Sequence, residues 1–212
     1  STEVLGLDAN TGKLLWRKDH ASKLKHNWST PVWGNDNLLF VSSAAPAGSR
    51  VFRLTLKDSE TKVDELWHNP KAGIQHANAI RVDDYIYGCF TEESSDYFAA
   101  VNVKTGKFAW KESGFPQANF AYANGKTFLL DKDGTLSLAT VSPEKLTLHA
   151  SARVLEKALG AVPILAGTTL YIRNGQGIFA YDVSPNTLVD DSYSGRPPSP
   201  PPAGGATNPK EK

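Results

Sequence analysis

Side chains that could catalyse a reaction or bind a metal ion are few in this sequence and widely separated. Its five histidines show no metal-ligand spacing such as His-x-x-x-His. The lone cysteine, Cys89, cannot form an internal disulfide, and its setting in the string 87–90 favours a buried strand residue over a reactive thiol. No Walker loop, Gly-x-Ser-x-Gly motif or zinc cluster is present. The sequence therefore predicts no catalytic residue and no metal site.

Polar residues just before apolar strands are the remaining candidates for a binding site. His76 differs from the other histidines because it lies in such a segment, Gly73–Asn78, and corresponding segments occur at 26–29, 117–119 and 159–161. If the strands surround a common axis, these side chains converge at one end of it. The ligand candidates are Trp28, Gln75, His76, Asn78 and Asn119. Alternatively, these groups satisfy the backbone of loops and strand ends or bind water.

A repeated hairpin is the first of the elements that would position these residues. It is a strand, a tight turn and a second strand that ends in tryptophan, and its best copies are Gly6–Trp16 and Ala100–Trp110. The two copies lie two periods of about 47 residues apart, and that period is typical of a propeller blade. The copy between them ends at Trp67, and weaker copies follow at 139–148 and 181–188.

A second hairpin alternates with the first. Its two apolar strands are joined by a polar two-residue turn, and its copies lie at 31–41, 79–87, 120–130 and 163–172. The turn positions are Asn35, Asp83, Asn124 and Gly167. These residue types tolerate the positive φ that such a turn requires. Interleaving the two hairpins gives units of four antiparallel strands.

The predicted fold is all-β, a β-propeller built of four-stranded antiparallel blades. About four and a half blades are expected, as part of a seven- or eight-bladed propeller or of one completed by a partner. Residues 1–20 form the outer half of a blade, and the other predicted blades cover 27–69, 75–113, 117–154 and, less regularly, 159–190. The one helical candidate, 151–159, falls between blades.

Two regions of different composition define the predicted domains. Residues 1–190 carry the blade pattern and form the propeller, which is incomplete at its N-terminal side. Residues 191–212 are rich in proline and glycine and almost free of large apolar side chains, which predicts a disordered tail.

The residues of the tryptophan hairpin have a structural interpretation. An Asp or Asn and a Thr hydrogen-bond the turn backbone, the glycine takes a left-handed conformation, and the tryptophan packs between blades. We expect these residues to hold the blades together and the rings of Trp16 and Trp110 to be largely buried. The full set is Asp8, Thr11, Gly12, Trp16, Trp67, Asn102, Thr105, Gly106 and Trp110.

The tryptophan hairpin also resembles the blade signature of pyrroloquinoline quinone (PQQ)-type propellers. The resemblance covers about residues 1–190. That superfamily contains quinoprotein alcohol dehydrogenases, a lipoprotein of the outer-membrane assembly machinery, and bacterial PQQ-like repeat proteins without known enzyme activity. The strings 82–88 and 170–175 look most like the last group. A shared fold does not by itself carry one of these functions.

The resemblance implies two functional hypotheses. Dehydrogenases of the superfamily hold PQQ in the central channel with calcium, a stacked tryptophan, usually a vicinal Cys-Cys disulfide and a catalytic aspartate. Here Cys89 is alone, and no residues match the calcium set or the aspartate. The first hypothesis is a non-catalytic binding or scaffold module, periplasmic or secreted, with a protein or small-molecule ligand at the propeller face and no cofactor. The alternative is a fragment of a PQQ-dependent alcohol or sugar dehydrogenase whose catalytic blades are missing.

Charge and hydropathy exclude two further classes of partner. The formal net charge of +1 gives no general attraction to nucleic acid or to an anionic membrane. No apolar run approaches the roughly 18–20 residues that cross a bilayer as a helix. We therefore expect no nucleic-acid partner and no membrane span.

Overall fold

The strands of the described residues form five antiparallel sheets that follow one another along the chain. A computed structural model describes residues 2–23, 25–158 and 160–184. The first sheet has two strands, the next three have four strands each, and the last has three. We call these sheets blades 1 to 5. The predicted all-β propeller fold is confirmed.

Within each blade the strands are paired in chain order. Blade 1 consists of β1 (Glu3–Leu7) and β2 (Leu14–Asp19). Blade 2 consists of β3 (Val32–Trp33), β4 (Leu38–Ser42), β5 (Ser49–Lys57) and β6 (Glu60–Asn69). Blade 3 consists of β7 (Ala79–Val82), β8 (Tyr85–Glu92), β9 (Ser95–Asn102) and β10 (Phe108–Glu112). Blade 4 consists of β11 (Asn119–Ala123), β12 (Lys126–Leu130), β13 (Thr135–Val141) and β14 (Leu146–Arg153). Blade 5 consists of β15 (Ile164–Ala166), β16 (Thr169–Arg173) and β17 (Ile178–Asp182).

Three of the four predicted turn residues in the second hairpin have a positive φ. They are Asp83 at 53°, Asn124 at 48° and Gly167 at 61°. The prediction for Asn35 was wrong, because the positive φ of 63° lies at Asn37 instead. A four-residue loop replaces the two-residue turn there, closed by a hydrogen bond from the amide of Gly34 to the carbonyl of Leu38.

The helical candidate 151–159 was also wrong. Residues 151–153 complete β14, where Ser151 pairs with Ser137 and Arg153 pairs with Thr135 of β13. The hydroxyl oxygens of the two serines lie 3.0 Å apart and share a hydrogen bond. Residues 154–158 contain no helix. A segment this short has little helical stability of its own, so pairing with an existing strand prevails.

Residues 185–212 lie outside the described residues. The predicted domain boundary after residue 190 and the predicted tail at 191–212 therefore stay predictions.

Apolar side chains fill the spaces between consecutive blades from blade 2 to blade 5. The larger cluster joins blades 2, 3 and 4 and contains Phe98, whose ring meets that of Phe120 edge-on at 5.3 Å between centroids. A smaller cluster joins blades 4 and 5 around Leu130, Leu170 and Ile172. Each blade is thus stabilised mainly by its immediate neighbours, as in other repeat proteins.

Candidate functional site

The candidate site lies where the chain enters the first strands of blades 2 and 3. Strand β3 contacts β7, and β11 contacts β15, so the first strands of these neighbouring blades face each other. Residues 26–31 precede β3, and residues 70–78 precede β7. The two segments therefore lie at the same end of these strands, which we call the channel mouth.

Three aromatic rings form a cluster at the channel mouth. The indole of Trp28 lies 5.1 Å from the imidazole of His26 and 4.8 Å from that of His76, measured between ring centroids. The interplanar angles are 32° and 34°. Trp28 remains 56% exposed, and both histidines are also exposed. A large indole with this much surface in water is available to a binding partner.

Hydrogen bonds from blade 2 fix the two segments that carry these rings. The hydroxyl of Ser43 donates to the carbonyl of His26 at 2.9 Å. The amide of Ile74, two residues before His76, donates to the hydroxyl of buried Ser42 at 2.7 Å. The histidines are therefore presented from segments held by a rigid sheet.

The polar ligand candidates are distributed differently around the rings. Gln75 is half buried beside His76. The side-chain oxygen of Asn78 accepts a hydrogen bond from the amide of Thr30 at 3.0 Å and so joins the two segments. The prediction for Asn119 as a ligand group was wrong, because its side chain is 1% exposed.

Asn119 instead connects three blades below the channel mouth. Its side-chain nitrogen donates to the carbonyls of His76 and Gly160, each at 3.1 Å. A buried amide needs such partners, and these carbonyls use its donor capacity. The structure thus brings Trp28, Gln75, His76 and Asn78 to one surface and places Asn119 beneath it.

The channel mouth can bind through stacking and hydrogen bonds. Its exposed ring accepts a flat apolar group or a cation, and the neighbouring imidazoles and amide offer donors and acceptors. The described residues contain no group of three or more His, Cys, Asp or Glu side chains that could hold a metal ion. This surface therefore does not fit the calcium site of the dehydrogenases.

The turn residues of the tryptophan hairpin make the same hydrogen bonds in blades 1 and 3. Asp8 Oδ1 accepts from the amide and the hydroxyl of Thr11, at 2.8 and 2.7 Å. Asn102 Oδ1 accepts from the corresponding groups of Thr105, at 3.1 and 3.2 Å. The Thr11 bonds lower the pKa of Asp8 below its usual value. The side-chain oxygens of Asp8 and Asn102 thus accept hydrogen bonds from the backbone of their own turns.

Trp67 and Trp110 connect blades 2 and 3 to the blade that follows each of them. The indole nitrogen of Trp67 donates to the carbonyl of Val103 at 2.7 Å, and that of Trp110 donates to the carbonyl of Ser142 at 2.9 Å. Both acceptors directly follow the third strand of the next blade. Trp16 and Trp110 are half buried rather than largely buried, as is Trp67. Part of each indole stays exposed to water because it lies on the last, outermost strand of its blade.

The turn glycines Gly12 and Gly106 have φ angles of 71° and 70°. A Cβ on Gly106 would lie 2.6 Å from Trp67, whereas a Cβ on Gly12 would have no heavy atom within 4 Å. The turn of blade 3 therefore packs directly on the tryptophan of blade 2.

Cys89 is a buried strand residue, 4% exposed, and its thiol donates to the carbonyl of Phe115 at 3.2 Å. Burial raises the pKa of this thiol to about 12. The side chain is therefore a protonated thiol at neutral pH and a poor nucleophile.

A polar cleft of about 630 Å³ lies at the opposite end of the first strands, beside half-exposed Trp33. The guanidinium of Arg81 binds both carboxylate oxygens of Asp36 at 2.7 Å, which connects blades 2 and 3. Arg81 also donates to the carbonyl of Asp83 at 2.8 Å. Because all three guanidinium nitrogens of Arg81 donate to groups of the protein, we interpret its interactions as structural.

Sequence reasoning did not single out His26 or the Arg81–Asp36 ion pair. His26 and His76 are about 50 residues apart, close to one blade period, so a histidine at the same place in consecutive blades was a usable signal. The ion pair has no such signal, because only the packing of two blades brings its partners together.

Comparison with known proteins gives a family and a fold. The sequence profile of the family described as "Outer membrane protein assembly factor BamB" matches residues 1–202. No curated protein gives a significant match. Among the described residues there is no helix long and apolar enough to cross a bilayer.

The solved structures to which this chain is similar include the following three. BamB from Moraxella catarrhalis is 15% identical with a TM-score of 0.46, and the match covers 85% of this chain and 66% of that one. YjhT is 13% identical with a TM-score of 0.51, covering 76% and 63%. A protein from Lactobacillus plantarum is 8% identical with a TM-score of 0.50, covering 83% and 60%. The chain thus spans somewhat under two thirds of the length of these proteins.

Proposed function

Because the chain belongs to the family described as outer membrane protein assembly factor BamB, we propose that it is a non-catalytic binding module that holds a protein partner at its channel mouth. The observation that carries this proposal is the exposed ring of Trp28 between His26 and His76. A large, rigid, amphipathic side chain in such a setting is typical of the residues that dominate protein interfaces.

The support beneath the rings favours binding over catalysis. Bonds from Ser42, Ser43 and Asn78 hold the segments, so little conformational entropy is lost when a partner docks. No carboxylate is among the residues that form the aromatic cluster and its hydrogen bonds. The two imidazoles therefore lack the carboxylate that commonly orients a catalytic histidine, and in this proposal they hydrogen-bond the partner.

The family description also suggests the setting and the partner class. An outer membrane protein assembly factor acts where outer membrane proteins are assembled, so we place this chain in the periplasm or outside the cell. Its partner is then a protein of that assembly process. A small molecule at the same rings is the second possibility, and a photocrosslinking experiment separates the two.

The experiment compares two tryptophans of similar exposure at opposite ends of the first strands. A photoreactive phenylalanine analogue replaces Trp28, which is 56% exposed, or Trp33, which is 50% exposed. After irradiation of the protein in its native host, we expect a discrete protein adduct from position 28 and none from position 33. Mass spectrometry identifies the adduct.

Binding by the purified adduct partner then tests the residue itself. Trp28→Ala should weaken binding at least tenfold, in the range found for central aromatic residues of interfaces, and Trp33→Ala should leave it unchanged. Equal adducts from both positions, or equal binding by both variants, would refute the channel mouth as the docking surface.

A further inference from the structure

His20 is the buried anchor of the two-stranded blade 1. It follows β2, and its backbone amide donates to the carbonyl of Thr2 at 2.8 Å. Among residues 2–23, only His20 and Ser22 are buried, whereas most other side chains of this segment face water or are partly exposed. The hairpin β1–β2 therefore has very little apolar burial to hold it against blade 2.

The ring of His20 is buried without hydrogen bonds. It is 2% exposed, and neither Nδ1 nor Nε2 has a partner. Nε of Arg50, which is also buried, has none either. A neutral imidazole tolerates such a place at a moderate cost, but a charged imidazolium needs partners or water.

Of the groups around the ring, only the backbone of Ser42 on β4 favours a positive charge, and burial and the charge of Arg50 outweigh it. On β5, the guanidinium of Arg50 donates to the carbonyl of Asp19 at 3.2 Å and to the carboxylate of Glu65 at 3.0 Å. On β6, His68 lies 3.0 Å from Arg50 and 2.8 Å from the carbonyl of Ala47 through the same ring nitrogen. The nearby carboxylate is thus already bound to Arg50, and the nearest charge is positive.

We propose that His20 is an acid-sensitive latch, whose neutral ring keeps the hairpin β1–β2 on blade 2 and whose protonation releases it. The hairpin contacts blade 2 through β2 and β6. Release transfers the imidazolium to water and separates it from Arg50. Blades 3 to 5 contain no part of this contact and stay folded.

The direction of the pH effect follows from the two states of His20. Burial, and then the charge of Arg50, lowers the pKa of docked His20 from 6.5 to about 4. The released hairpin has the ordinary value, so it binds the proton more tightly. Docking is therefore fully favoured above pH 6.5 and weakens as the pH falls towards 4. At pH 5.0 the released fraction should be about 25 times that at pH 7.5.

Hydrogen exchange measured by mass spectrometry tests this on the intact chain. After correction for the intrinsic exchange rate, peptides within 2–19 should lose about 25-fold of their protection between pH 7.5 and 5.0. Peptides from β8 (Tyr85–Glu92) provide the internal reference and should change little.

Two variants identify the group that is responsible. His20→Phe keeps a buried planar ring but cannot take up a proton, so protection of 2–19 should become nearly independent of pH. His149→Gln, which removes an exposed histidine of β14, should behave like the wild type. The same loss of protection in His20→Phe as in the wild type would overturn the proposal.

A direct titration of the wild type covers the case in which His20→Phe does not fold. The ring resonance of His20, followed by NMR, should have a midpoint well below the ordinary histidine pKa of 6.5. A midpoint near 6.5 for His20, or equal protection of 2–19 at both pH values, would also overturn the latch.

Discussion

The contact between Gly106 and Trp67 allows a sharp test of how neighbouring blades are joined. Gly106 lies in the turn of blade 3 with a φ of 70°, and Trp67 lies in the last strand of blade 2. A Cβ on Gly106 would lie 2.6 Å from the indole. Gly106→Ala must therefore displace the ring that donates to the carbonyl of Val103.

The expected cost has two separable parts. An alanine in the left-handed region costs about 1–2 kcal/mol wherever it lies. Displacing Trp67 adds about 1 kcal/mol for its hydrogen bond and about 1 kcal/mol for packing. Gly106→Ala should therefore lower the free energy of unfolding by about 3–4 kcal/mol, but by only about 1–2 kcal/mol when Trp67 is already alanine.

Urea unfolding of the four proteins of this double-mutant cycle gives the interaction energy. Gly125→Ala provides the matched control, because Gly125 has a φ of 75° but no heavy atom within 4 Å of the added carbon. Its cost should be about 1–2 kcal/mol in either background. If Gly106→Ala costs the same with and without Trp67, the proposed connection between blades is wrong.

Four further outcomes are expected. Arg81→Met and Asp36→Asn should each destabilise the protein by about 1 kcal/mol, and less in high salt. Arg81 lowers the pKa of Asp36 below its usual 3.8. The wild type should therefore lose the stabilisation by this ion pair only as the pH falls below about 4. Urea unfolding of the wild type and of the two variants at several pH values checks this. Cys89 should react with an aromatic disulfide reagent at pH 8 only after unfolding; fast labelling of the native protein would contradict its burial. Titration with PQQ and calcium, followed by quinone absorbance, should show no stoichiometric binding, whereas calcium-dependent binding that is lost in Trp28→Ala would favour the dehydrogenase hypothesis. Deleting 196–212 should leave the thermal midpoint unchanged, and a clear drop would mean that this segment docks on the propeller.

The blades were predictable because their signals are local. Alternating apolar strands and turn residues such as Asp83 and Asn124 act over a few residues, so the sequence shows them directly. The error at Asn35 arose within one loop, where Gly34–Asn37 makes a longer turn than the repeat suggests. The error at 151–159 arose because pairing with β13 outweighs a weak helical preference.

The site was less predictable because it depends on contacts between blades. Sequence placed Trp28 and His76 at the channel mouth but could not show that their rings meet. Asn119 has the same polar character, yet its burial is set by the carbonyls of His76 and Gly160 on two other blades. His20 carries no local signal, since only the packing of Arg50 and blade 2 makes its ring exceptional.

The tryptophan bonds between blades run in one direction along the chain, which has a consequence for synthesis on the ribosome. Trp67 reaches an acceptor 36 residues later, and Trp110 reaches one 32 residues later. At translation rates of about 5–20 residues per second, each donor is made roughly 2–7 seconds before its acceptor. The finished edge of one blade is thus ready when the next blade emerges, and the arc can grow vectorially from the N-terminal side, one blade at a time.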